Sequence, residues 1–304
     1  MLLDVDAAAI EQLRAENARL KAELEDLHRK IGPFAPGHFH SPIPDLEEVR
    51  GDAAKIFVLD DCDLPGIDRD EARQWAVLTE LARYAGQEQF ARHATPGRRY
   101  YWDNRVFHYA DAFVLYAMLR HHQPRRWIEI GSGFSSAVLL DALDRHPEIP
   151  TRPVFIDPDP TRVHALLSET DRERSEYHQQ RVQDIPLSLF DSLQAGDVLF
   201  IDSSHVAKIG SDVNWLFFEI VPRLRPGVLL HVHDIPSSFE YSREWVEARW
   251  AWNEAYLLRA FLMFNQAFRI EIHAAFLASR DPASCMRLLP ECPGVGASVW
   301  LRRV

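Results

Sequence analysis

A chain of 304 residues is long enough to bury a full-sized core and to carry an appendage beside it. Hydrophobic residues at 47% and charged residues at 26% exclude disordered and collagen-like compositions. The 34 Lys and Arg against 45 Asp and Glu give a net charge of -11, which repels a phosphate polymer and argues against nucleic acid as a partner.

The first residues, Met1-Leu-Leu-Asp-Val-Asp6, lack a basic segment followed by an apolar run. Nor do about eighteen apolar residues run together anywhere, so a cytoplasmic protein without a membrane span is expected. Ile10, Leu13, Leu20, Leu24, Leu27 and Ile31 then recur at a and d of a heptad, with Asn17 at a further a position. A buried amide at a is satisfied by its counterpart in a parallel pair, which predicts a parallel homodimer through residues 10–31. In that register Glu16 at g faces Lys21 at e of the second chain, and Glu23 faces His28. The alternative is an amphipathic helix lying on its own domain.

Gly32-Pro-Phe-Ala-Pro-Gly37 and Ser41-Pro-Ile-Pro44 are too rich in proline and glycine for the interior of a helix or strand. The expected organisation is a coiled-coil helix over 1–32, a linker and helical lead-in over 33–95, and one catalytic-size domain over 96–304. Cys62, Cys285 and Cys292 lack the spacing of a zinc or redox motif and read as reduced thiols. Helical spacing covers about Asp68 to Tyr84 and about Tyr109 to His121, the second with Ala110, Phe113, Val114, Ala117 and Met118 on one side. From Arg126 onward, apolar runs at Trp127 to Ile130, Val154 to Ile156, Val198 to Ile201 and Val228 to Val232 alternate with helical segments. The pattern predicts a doubly wound α/β fold around a mainly parallel sheet.

Trp127-Ile-Glu-Ile130 ends in Gly131-Ser-Gly133, after which Phe134-Ser-Ser-Ala begins a helix. A glycine turn at the carboxyl end of the first strand lets a nucleotide-like ligand approach the backbone, and Asp157 at the next strand end can accept from ribose hydroxyls. Dinucleotide-binding domains share this pattern, so a nicotinamide-dependent oxidoreductase is one reading. Against it, Ser136 stands where that fingerprint needs a Gly or Ala. Glu129 would repel a pyrophosphate, yet it could hold the ammonium end of an amino-acid-bearing cofactor.

Glu129-Ile-Gly-Ser-Gly133 resembles motif I of class I S-adenosylmethionine-dependent methyltransferases. The resemblance implies a Rossmann-like methyltransferase fold in which Glu129, Gly131, Ser132, Gly133 and Asp157 bind the cofactor, with Asp184 near the adenine and Asp202 also in the site. It extends to the final Ser298-Val-Trp-Leu-Arg strand.

Two more strand ends open on the same side. Asp202-Ser-Ser-His205 follows one, and His233-Asp234 closes the other. Carboxylates and imidazoles arriving together suit a divalent metal or proton abstraction from a hydroxyl. They resemble bacterial O-methyltransferases of the macrocin and caffeoyl-coenzyme A groups, which often use magnesium. That resemblance implies Asp202 and Asp234 as metal ligands and His205 as general base, with His233 a further catalytic candidate. Ser204 stands where a second carboxylate often lies, and His231, deeper in its strand, reads as a hydrogen-bonded core residue.

Asn104, Asp111 and Glu254 fall in segments that border the substrate crevice of the related proteins and are candidate substrate contacts, Glu254 within a long helix. Trp245, Trp250 and Trp252 read mainly as the apolar stripe by which that helix covers the sheet. The expected activity is O-methylation of a small-molecule or glycan hydroxyl. A non-catalytic dimeric adaptor is the reading from another class.

Overall fold

The structure, a computed structural model, describes residues 7–57, 63–159, 161–289 and 296–304. Cys62 and Cys292, with the first six residues, lie outside these, whereas Cys285 is a free thiol. The chain divides into two units, Met1–Ile56 and Phe57–Val304, a boundary that falls inside the lead-in expected at 33–95.

In the first unit the heptad segment forms one helix, Ala7–Ile31. His28, Arg29 and Lys30 in its last turn complement the negative end of the helix dipole. Its seam is bare in the single chain: Leu13 is 69% exposed, Leu20 50%, Leu24 52% and Leu27 53%. Asp45 caps the short helix Leu46–Gly51 by accepting from the Glu47 and Glu48 amides.

The second unit is built on seven strands: β1 (Arg126–Ile130), β2 (Arg152–Ile156), β3 (Glu176–His178), β4 (Val198–Ile201), β5 (Leu229–Val232), β6 (Phe268–His273) and β7 (Val299–Arg303). Their order is β3-β2-β1-β4-β5-β7-β6, parallel from β3 to β5, with β7 antiparallel to both its neighbours. The helix predicted near 68–84 is Glu71–Leu81 with a following 3-10 turn, capped by Asp70. Tyr109–His122 is the second expected helix, but Tyr109 through Leu119 are all buried, so the one-sided stripe read from sequence is corrected to a helix enclosed on every side.

An ionic knot ties the segment before Tyr100 to the helix Phe134–Arg145 and to the turn around Asp171. Arg99 meets Asp141 at 2.7 Å, Asp144 at 2.6 Å and Asp171 at 2.8 Å, and Arg174 also reaches Asp171, at 2.6 Å.

The long helix expected after Asp234 is instead two, Arg243–Glu247 and Glu254–Leu262. Arg249 at φ 63 lies in the left-handed region, which no helix interior tolerates, and the chain breaks there.

Candidate active site

The crevice opens where the strand order reverses, between β1 and β4, at the carboxyl ends of the parallel strands. Its volume is about 1230 Å³, and its wall runs from the glycine turn through Asp157, Gln183 and Asp202 to His205, His233 and Asp234.

Gly131 has φ +79, and a Cβ there would lie 1.8 Å from the backbone oxygen of Asp202, so glycine is required both for conformation and for the close approach of β4. All three turn amides are engaged. Gly131 N donates to Ile156 O at 3.0 Å, Ser132 N to Asp157 Oδ2 at 2.8 Å, and Gly133 N to Ser136 Oγ at 3.0 Å. A pyrophosphate would find none of these three free, which weakens the dinucleotide reading.

Glu129 is fully buried beneath the turn rather than in its wall. Its Oε1 accepts from Ser135 and Ser136, each at 2.7 Å, and Oε2 from Trp127 Nε1 at 3.3 Å. Burial pushes its carboxyl up to about 7. The expectation that it faces the cofactor's ammonium is thereby corrected: it fastens the helix Phe134–Arg145 to β1. Asp184 is also corrected. It is exposed and held by Arg181 through two 2.9 Å bonds, while its neighbour Gln183 lines the crevice.

His205 sits at φ 59 and Asp234 at φ 56, both left-handed without glycine, a strain seen where function fixes geometry. His205 Nδ1 contacts Glu254 Oε2 at 2.9 Å, and Nε2 lies 3.4 Å from Asp202 and from Asp234. Burial would lower its pKa, but the hydrogen bonds to Asp202 and Glu254 outweigh this and raise it to about 11. Burial pulls Asp202 upward, yet the neighbouring His233 and His205 bring it down to about 2, whereas burial raises Asp234.

Asp202, His233 and Asp234 each present a ligand atom, all within 4.8 Å of one another. Two carboxylates and an imidazole whose buried Nδ1 has no partner among the described residues fit a divalent cation. Ser204 is not in this group, being tied to Asp212. His231 also departs from expectation. Among the described residues neither of its nitrogens has a partner, and it stacks on Phe200 with centroids 3.8 Å apart, kept neutral by burial and by His233.

Of the candidate substrate contacts, only Asp111 lines the crevice, anchored by the Ala297 amide at 2.9 Å. Asn104 uses its amide to staple its own loop, accepting from Val106 and Phe107 and donating to Tyr101 and Phe107. Glu254 is fully buried and orients His205 instead. Trp245, Trp250 and Trp252 line the crevice, Trp245 and Trp252 also pack against the hydrophobic core as expected, and Trp252 lies 4.4 Å from the His205 ring.

A sheet of this order with a reversed seventh strand, carrying a glycine turn at its switch point, is the Rossmann-like methyltransferase fold. A family model described as a methyltransferase domain matches residues 128–235. An Archaeoglobus fulgidus protein described only as uncharacterized is 35% identical over 178 residues, covering 56% of this chain and 78% of its own. Among solved structures, the O-methyltransferase TomG from Streptomyces achromogenes, in complex with SAM, is similar at 16% identity and a TM-score of 0.43, over 84% of this chain and 96% of its own. A structure titled cmcI-D160 Mg-SAM is similar at 20% identity and a TM-score of 0.40, over 65% and 72%. Residues 128–235 thus carry a methyltransferase domain, and the chain resembles the class I S-adenosylmethionine-dependent methyltransferases. Among the described residues, no helix is long and apolar enough to cross a membrane.

Proposed function

We propose that this protein transfers the methyl group of S-adenosylmethionine to a hydroxyl of a small molecule or glycan. The observation that carries the reading is that the glycine turn and the Asp202, His205 and Asp234 cluster line one crevice. Gly131, Ser132 and Gly133 leave room for the cofactor's central part, Asp157 accepts from its ribose hydroxyls, and Gln183 lies toward its adenine. The sulfonium is already a good leaving group, so alignment of nucleophile and methyl carbon is the main task.

Trp245, Trp250 and Trp252 offer flat apolar faces for the acceptor. Asp202, His233 and Asp234 would hold the metal, and a divalent cation bound there lowers the pKa of an acceptor hydroxyl and screens the carboxylates from His205. His205, fixed by Glu254 at Nδ1, turns Nε2 toward the crevice as the atom that receives the hydroxyl proton. Glu254 is thus a positioning residue. We also propose a parallel homodimer through the bare seam of the Ala7–Ile31 helix.

Calorimetry with S-adenosylmethionine and S-adenosylhomocysteine tests the reading. Micromolar binding of both is expected, and absence of binding at millimolar concentration overturns it. A spectral change on adding NAD would instead favour the oxidoreductase.

A further inference from the structure

The proposed cofactor carries a sulfonium, an ammonium and a carboxylate, and the carboxylate still needs a partner. The turn amides cannot serve, being engaged by Ile156, Asp157 and Ser136. Much of the remaining wall is acidic, with Asp157, Asp159, Asp202, Asp212 and Asp234, and would repel a carboxylate. The arginines and lysines on the wall are Arg105, Arg162, Arg181 and Lys208.

Three of these four are placed badly for the task. Arg181 is held by Asp184. Arg105 and Lys208 line the same wall, but neither is among the atoms nearest a Cβ built on Gly131 or Gly133. Arg162 alone reaches over the turn itself. A Cβ built on Gly133 would lie 2.9 Å from Arg162 Cδ and 3.7 Å from its Nη1. Gly133 has φ 180, extended backbone open to any residue, so its glycine is explained by space rather than by conformation. The space is where the Arg162 side chain passes.

No carboxylate stands within ion-pair distance of Arg162 among the described residues, although two acids lie just upstream. Both have other duties. Asp157 accepts from the Ser132 and Asp159 amides, and Asp159 accepts from the Thr161 amide and hydroxyl. The guanidinium is left with its donors available beside the N-terminus of the helix Phe134–Arg145, whose positive end favours an anion at the same spot.

We infer that Arg162 clamps the α-carboxylate of the cofactor against the glycine turn. The inference rests on the S-adenosylmethionine reading and assigns a specific anchor within it. It also makes Gly133 the residue that gives the clamp its passage.

The test compares two ligands that differ in the amino-acid tail. S-Adenosylhomocysteine carries the carboxylate, whereas 5′-methylthioadenosine keeps the nucleoside and lacks the whole amino-acid end. Calorimetry on the full chain, wild type against Arg162→Gln and Arg162→Lys, is expected to show S-adenosylhomocysteine weakened about tenfold or more by Arg162→Gln. Binding of 5′-methylthioadenosine should change by less than about twofold, and Arg162→Lys should recover part of the loss. If Arg162→Gln weakens both ligands equally, or weakens neither, the clamp is wrong while the cofactor reading stands. If the wild type binds neither ligand, the cofactor reading fails and takes the clamp with it.

Discussion

Replacing Glu129 by glutamine keeps the size of a fully buried side chain and removes its ability to ionise. Burial raises this carboxyl from 4.5 to about 7, against the lowering effect of hydrogen bonds from Ser136 and Ser135. Since the folded value is the higher, the stability tied to this group is complete below the unfolded pKa and is lost as pH rises through the folded one. Between about pH 5 and about pH 8 the two titrations together remove about 2.5 kcal/mol, at about 1.4 kcal/mol per pH unit over the part of the gap inside that window. Glutamine has no such loss. Its amide group meets Trp127 Nε1, also a donor, but that cost is the same at both pH values and cancels in the comparison. Urea unfolding of both proteins at the two pH values is therefore expected to show the wild type falling by about 2.5 kcal/mol relative to Glu129→Gln. Parallel profiles would refute the assignment of a buried, neutral-prone carboxyl beneath the turn.

Arg99→Ala removes the ion pair of the buried Asp141, while Arg174 still holds Asp171, and should cost about 3 kcal/mol in chemical denaturation; a loss under about 1 kcal/mol would mean the knot contributes little to stability. Gly131→Ala forces a Cβ into the Asp202 carbonyl and should abolish S-adenosylhomocysteine binding, with retained affinity counting against this placement of β1 and β4. Asn17→Leu should raise thermal stability or change the oligomeric state, and light scattering that finds the wild type monomeric would defeat the proposed dimer.

The parallel part of the sheet was legible because β1, β2, β4 and β5 are buried on both faces and so read as unbroken apolar runs. β6 was not. Arg269 and Glu271 interrupt its apolar residues, and their pairing, completed by Arg302 from β7, is a tertiary fact. Its strict alternation of Phe268, Ile270 and Ile272 with polar residues was the available signal. The glycine turn and the acids at the strand ends could be found from their order alone. The contact between His205 and Glu254 joins positions 49 apart, and no local pattern announces it. Likewise the left-handed break at Arg249, which frees Trp250 and Trp252 from any helix, has no glycine to mark it. Gln183 was missed by a single position, because a 3-10 turn rather than an extended strand end carries it and sends Asp184 outward.

The unfavourable backbone at His205 and Asp234 has an evolutionary side. Such a non-glycine position costs about 1–3 kcal/mol, so glycine at Asp234 would relax the fold, whereas at His205 it would leave the buried Glu254 without its partner. A screen that rewards thermal endurance without asking for turnover should therefore accumulate glycine at Asp234 early. Libraries meant to toughen this protein need an activity gate, or the hardiest clones will be those whose chemistry has been erased.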